Sequence, residues 1–183
     1  MPDYYEKIQV AVLAETSAGE GFISSVKTSF YSTFIQENRY QLFLKGIMTT
    51  ILITVCSVLL GTVIGFLVYL WCRRGGRIAN RVTSFCVWLV QGMPVIVLLM
   101  ILYYVILGKV SISGMWVSVI GFTLVFAASV YSMIVSGVKA VDYGQTEASY
   151  ALGFTDRETF FGIILPQAAQ HFMPMYKAEI VSL

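Results

Sequence analysis

Few side chains in this 183-residue chain could do covalent chemistry. His171 is the single histidine, and Cys56, Cys72 and Cys86 lie in or beside apolar runs with no metal-ligand spacing. An odd number of thiols gives no disulfide framework, so they read as buried small hydrophobes. No cluster of histidine, cysteine and carboxylate suggests a nucleophile or a metal site, and His171 reads as exposed or interfacial. No Gly-x-x-x-x-Gly-Lys-Ser/Thr occurs, so nothing here cradles a nucleotide. The expectation is no catalytic residue, no metal and no cofactor. Spacing favours mechanical roles instead, in two places. One is Gln91-Gly92-Met93-Pro94, inside an apolar run. Pro94 lacks an N–H and Gly92 lets the chain bend, giving either a packing kink or a broken helix that presents backbone to a substrate. The other is Glu147 to Pro166, "EASYALGFTDRETFFGIILP".

The elements that position these residues are membrane helices. Hydrophobic residues make up 57% of the chain and charged residues 12%, with a mean hydropathy of +0.77, well beyond soluble averages. The net charge of +2 comes without a basic run interleaved with aromatics, which excludes nucleic acid as a partner. Charge-free stretches at 46–72, 85–107 and 112–138 each exceed the roughly 20 residues that a hydrocarbon core requires. The expected fold is therefore all-α, a multi-pass protein of the cell membrane with three transmembrane helices and the lipid bilayer as its solvent. Arg73, Arg74, Arg77 and Arg81, with no acidic residue among them, place the loop between the first two spans in the cytoplasm. The N-terminus is then outside and the tail after residue 138 is cytoplasmic.

No cleavable signal peptide opens the chain, since Asp3, Glu6 and Lys7 precede any apolar core. Residues 1–27 read as an extracytoplasmic tail with a linker, "AETSAGEGF". Residues 28–45 place Phe30, Phe34, Tyr40 and Phe43 near helical spacing, as in an amphipathic segment lying at the interface, or a plain juxtamembrane linker. In the first span, Thr50, Thr54, Ser57, Gly61 and Gly65 form a small-residue stripe that suits close helix packing. Ser118, Gly121, Val125, Ala128, Ser132 and Ser136 form a similar face in the third, for packing or for an aqueous pathway. Gln91, Gly92, Pro94 and Ser132 are the candidate pathway residues. No ionisable residue lies inside a span, which argues against a proton relay or a voltage sensor.

After Lys139 the sequence writes a helix, a tight turn and a second helix. Gln145 to Leu152 is a run of good helix formers with Ala148, Ala151 and Leu152 on an apolar side, and Gly153 suits its C-terminus. Thr155 with Glu158 is a capping box that opens the second helix. Phe160, Phe161, Ile163, Ile164 and Leu165 give that helix an apolar surface, and Pro166 discourages its continuation. Such a hairpin carries more apolar surface than a solvated loop needs and is built to dock.

Glu147-Ala148-Ser149, then Gly153, then Ile163-x-Leu165-Pro166, resembles the cytoplasmic "EAA" loop of bacterial ATP-binding cassette importer permeases. Ser149 departs from the second alanine usual there. Gly144-Gln145, Gln167-Ala168 and Gln91-Gly92-Met93-Pro94 resemble the polar amino acid branch, with Gln91 in place of the common arginine. The resemblance covers residues 42–183. It implies a partial type I importer fold over 46–183, with the loop at 144–166 as a coupling hairpin. It also implies cytoplasmic ATPase subunits, an extracytoplasmic substrate-binding protein or fused domain, and a second permease subunit in a homo- or heterodimer. Glu147 would offer its carboxylate to the ATPase, Gly153 would set the angle between the two short helices, and Phe160, Phe161 and Leu165 would pack the hairpin. Relatives continue with two further helices, so the chain is expected to be incomplete at its C-terminus. "IQVAVLA" (Ile8 to Ala14) reads as a candidate remnant of a fused binding domain. The expected function is the permease subunit of an ATP-driven amino acid importer, the hydrolysis residing in a partner. The alternative is a truncated anchor or assembly protein that keeps the docking hairpin without transporting. Substrate identity is not written in the motifs.

Overall fold

A computed structural model describes residues 21–27, 29 and 40–182. The candidate remnant at Ile8 to Ala14, and Phe30 and Phe34 of the expected interfacial segment, lie outside the described residues. The chain divides into two units, Met1–Thr49 and Thr50–Leu183. In the first, residues 21–27 are helical, and a long helix begins at Tyr40. Tyr40, Phe43 and Lys45, expected in a separate interfacial element, are thus the first turns of that helix. Every element among the described residues is helical, as lipid demands of a chain that must satisfy its backbone internally.

Helix α1 is Tyr40–Arg74, 35 residues and about 52 Å long at 1.5 Å per residue. Its two faces are sharply different. Ser57, Gly61, Gly65, Tyr69 and Cys72 are buried, whereas Val55, Leu59, Val63, Leu67 and Trp71 are exposed. Steps of four, with one of three from Tyr69 to Cys72, keep each set in line, and an offset of two puts the second set on the opposite side. An apolar exposed face has only lipid as a suitable solvent. Arg73 and Arg74 end the helix, where positive charge complements the carbonyl-rich terminus.

Helices α2 (Arg77–Gln91) and α3 (Val95–Met100) follow, α3 running on through a π-type turn at Ile101–Ile106. The axes of Arg77–Gln91 and Val95–Ile106 differ by 105°. The stretch 85–107, expected as one interrupted span, is therefore two helices at a right angle, and the first begins eight residues earlier. α1 and α4 (Gly114–Ala140) are each long and apolar enough to cross a bilayer alone; a third crossing would require the bent pair to act as one broken span.

Helix α5 is Tyr143–Ala151, α6 the single turn Asp156–Glu158, and α7 Leu165–Ser182, with a π-type turn at Thr159–Ile164 between the last two. Pro166 does not stop the chain. It lies in the first turn of α7, directly after the wider π-type turn, where a missing N–H and a bulky ring are tolerated. The second helix of the hairpin consequently continues into a helix packed along α4.

The main core joins Tyr69 and Cys72 of α1, Phe126, Val130, Tyr131 and Ile134 of α4, and Phe160 and Ile164 of the hairpin. A smaller one joins Leu98 and Leu102 to Val117. A Cβ on Gly65 would meet Ala127 O at 2.6 Å and Val130 Cβ at 2.9 Å, and one on Gly61 would meet Phe126 Cβ at 3.0 Å. Glycine at these two positions lets α1 lie directly on α4. Of the three thiols only Cys72 is buried, with Sγ 3.1 Å from Thr83 Oγ1. Cys56 is half-buried and Cys86 exposed; against lipid a small apolar side chain has no need of burial.

Candidate functional site

The hairpin is closed locally at each joint. Asp142 caps α5 by accepting from Gly144 N at 2.7 Å. At the other end Gly153 has φ +85°, and the N–H groups of Gly153 and Phe154 bond the carbonyls of Tyr150 and Ser149 at 3.0 and 3.1 Å. That left-handed residue reverses the chain after one helix, a geometry that glycine adopts without steric cost. Thr155 then opens α6 with both bonds of a capping box: Thr155 N donates to Glu158 Oε2 at 2.9 Å, and Glu158 N donates to Thr155 Oγ1 at 3.4 Å. Bonds from the Thr155 hydroxyl and backbone hold the Glu158 carboxyl below its ordinary range.

Between the two arms, Ser149 and Thr159 are both about 1% exposed, with hydroxyl oxygens 3.0 Å apart. Ser149 also donates to Thr146 O at 2.8 Å. The position where this chain departs from the usual alanine is thus a buried polar bond across the hairpin. Gln167 Nε2 donates to Gln145 Oε1 at 3.4 Å near the open ends of the arms.

One face of the hairpin is anchored and the other free. Phe160 is 1% exposed and stacks on Tyr69 of α1 at 5.9 Å between ring centroids. The Arg73 guanidinium lies 4.2 Å above the same ring and pairs with Asp156 Oδ1 at 2.5 Å. Tyr150 OH donates to that carboxylate at 3.1 Å, and this bond raises the phenol above its ordinary range. Glu147, Ala148, Leu152 and Gly153 all face outward, Leu152 being 77% exposed. Phe161 is exposed, Leu165 half-buried and Pro166 exposed. Among these outward residues Glu147 places a carboxylate beside the apolar surface at Leu152. Among the described residues no three His, Cys, Asp or Glu side chains converge as metal ligands.

The broken helix is bonded more sparsely. Gly92 N–H closes α2 on Trp88 O at 2.9 Å, and Pro94 O starts α3 by accepting from Val97 N and Leu98 N at 3.0 and 3.2 Å. Ser132 Oγ donates to Gln91 Oε1 at 3.3 Å, bringing together two candidate pathway residues from separate helices. Gln91, Gly92 and Pro94 are exposed. Sequence reasoning missed Arg73, Asp156, Tyr69 and Tyr150 as parts of the site. Arg73 was legible as a topology signal and Asp156 as a first-turn acid, but nothing local links positions 83 residues apart.

Residues 57–183 match the family described as "Binding-protein-dependent transport system inner membrane component". The chain is 31% identical over 142 residues to the arginine transport system permease protein ArtQ of Bacillus subtilis, covering 76% of this chain and 65% of that one. It is 30% identical to the probable amino-acid ABC transporter permease protein YckA of Bacillus subtilis, covering 83% and 68%. It is 31% identical to the putative glutamine transport system permease protein GlnP of Rickettsia prowazekii, covering 76% and 65%. It therefore spans about two thirds of the length of these relatives. A solved structure described as an amino acid ABC transporter with histidines is similar at a TM-score of 0.70 and 27% identity, over 88% of this chain and 71% of that one.

Proposed function

The chain belongs to the binding-protein-dependent transport system inner membrane component family, and from that premise we propose that it acts as the permease subunit of an ATP-driven amino acid importer. It sits in the cell membrane as a multi-pass subunit, pairs with a second permease subunit, and receives substrate from an extracytoplasmic binding protein or fused domain. ATP hydrolysis belongs to cytoplasmic ATPase subunits. The observation that carries this reading is the two-sided hairpin: Phe160 is locked among α1 and α4 while Glu147 and Leu152 are turned outward. Relatives whose names specify arginine, glutamine and L-cystine transport support amino acids as the substrate class.

In this mechanism the ATPase grips the outward face through Glu147 and the apolar tip at Leu152. Closure of the ATPase pair moves the hairpin, and Phe160 carries that movement into the membrane core. Gln91, Gly92, Pro94 and Ser132 border the pathway, where a break in α2–α3 exposes backbone to the passing solute. Reconstitution into vesicles with the ATPase and binding-protein subunits tests this. Labelled amino acids should accumulate only with ATP, and Glu147→Lys should release the ATPase from the membrane by setting like charges together. ATP-independent accumulation, or full ATPase retention by Glu147→Lys, would sink the proposal.

A further inference from the structure

The contact between the hairpin and α1 converges on one side chain. Tyr69 and Arg73 are four residues apart on α1, and Asp156 and Phe160 are four residues apart after the turn, so each pair shares a helical face. The two faces meet in register: Tyr69 stacks on Phe160 at 5.9 Å, while Arg73 covers the Phe160 ring at 4.2 Å and pairs with Asp156 at 2.5 Å. Arg73 Nη2 also donates to the Asp156 carbonyl at 3.4 Å. Asp156 is bonded in turn by Tyr150 from the other arm, so Arg73 holds both arms of the hairpin.

We propose that Arg73 is a positioning residue that latches the hairpin to α1, so that displacement of the hairpin moves α1 with it. A guanidinium suits this because its planar face can lie on a ring while its edge bonds a carboxylate. An ammonium has no such face. The hairpin cannot slide along α1 without breaking both contacts at once. An ion pair with an Asp156 side chain 68% exposed contributes little stability by itself; its value lies in direction. Among the described residues Arg74, Arg77 and Arg81 make no comparable pair, so the role falls to one arginine of the four.

The latch rests on the reading of the hairpin as an ATPase dock, and the test separates the two. The full chain, reconstituted with its ATPase and binding-protein subunits in nanodiscs and in vesicles, is compared with Arg73→Gln, Arg73→Lys, Asp156→Asn and the Arg73→Gln/Asp156→Asn pair. Arg73→Gln should speed amide exchange across 150–161 by about tenfold, as a local opening made easier. It should also cut the amino acid carried per ATP hydrolysed about fivefold, while the ATPase still co-purifies. Arg73→Lys should fall between it and the parent, and the double variant should be no worse than Arg73→Gln, as for two ends of one contact. Unchanged exchange in Arg73→Gln, or faster exchange with an unchanged transport ratio, overturns the latch. ATPase retention by Glu147→Lys overturns the docking reading instead, since that variant leaves the Arg73 contact intact.

Discussion

Two breaks in helical chain can be set side by side, one at Gly92–Pro94 and one at Leu152–Phe154. Each is followed by a π-type turn a few residues on. At the hairpin the break is sealed by a capping box, a buried hydroxyl pair, an ion pair and an aromatic stack. At Gly92–Pro94 the side chains supply one bond of 3.3 Å, between Ser132 and Gln91. A π-type turn therefore has no fixed setting; one lies among polar and aromatic bonds and the other in apolar packing. The hairpin is held by polar and aromatic bonds, whereas the two limbs of the broken helix, 105° apart, are held by apolar packing of Val90, Met93, Leu98 and Leu102 with Val117.

The largest expected effect falls on the braced side. Phe160→Ala empties the centre of the main core and should cost about 3–5 kcal/mol, read as a drop in the melting temperature of the purified chain. Leu98→Ala, in the smaller cluster at the broken helix, should cost about 2 kcal/mol in the same assay. Equal losses at both positions would erase the distinction.

Gly153→Val forces a β-branched residue to positive φ at a local cost of about 1–3 kcal/mol. Amide exchange should quicken at 150–158 and stay as in the parent at 92–100; a change that spreads to both would mean the breaks are coupled. Acid sharpens the contrast further. Glu158 is held low by its bonds to Thr155, so its contribution is present above the ordinary carboxylate range and is lost as pH falls through the lowered value. Exchange at 155–159 should rise across that window, and Glu158→Gln should flatten the response. The smallest effect is expected for Ser132→Ala, under about 1 kcal/mol, visible as a shift in the angle between α2 and α3 by spin-label distances rather than in melting.

The long apolar helices were legible because lipid accepts few structures and charge-free length reveals them. The turn at Gly153 and the Thr155–Glu158 box were equally plain, since each is set by residues within three positions of one another. What escaped was tertiary. Pro166 looked like a stop because the rule for proline assumes an α-helical register before it, and the π-type turn at 159–164 changes that register. The 85–107 stretch looked like one crossing because hydropathy records no direction, so it could not give the angle at Gly92–Pro94. The Arg73–Asp156 pair joins positions that no periodicity connects.

The unequal burial of α1 and α4 bears on how the chain enters the bilayer during synthesis. In its most apolar stretch α1 is 17% buried inside the protein and α4 67%. α1 leaves the ribosome first with a surface already suited to lipid. α4 follows, carrying Thr123, Ser129 and Tyr131 on buried faces, and gains from finding a neighbour in place before it settles. Birth order and solvent preference agree: of these two helices, the one less covered by protein is made first.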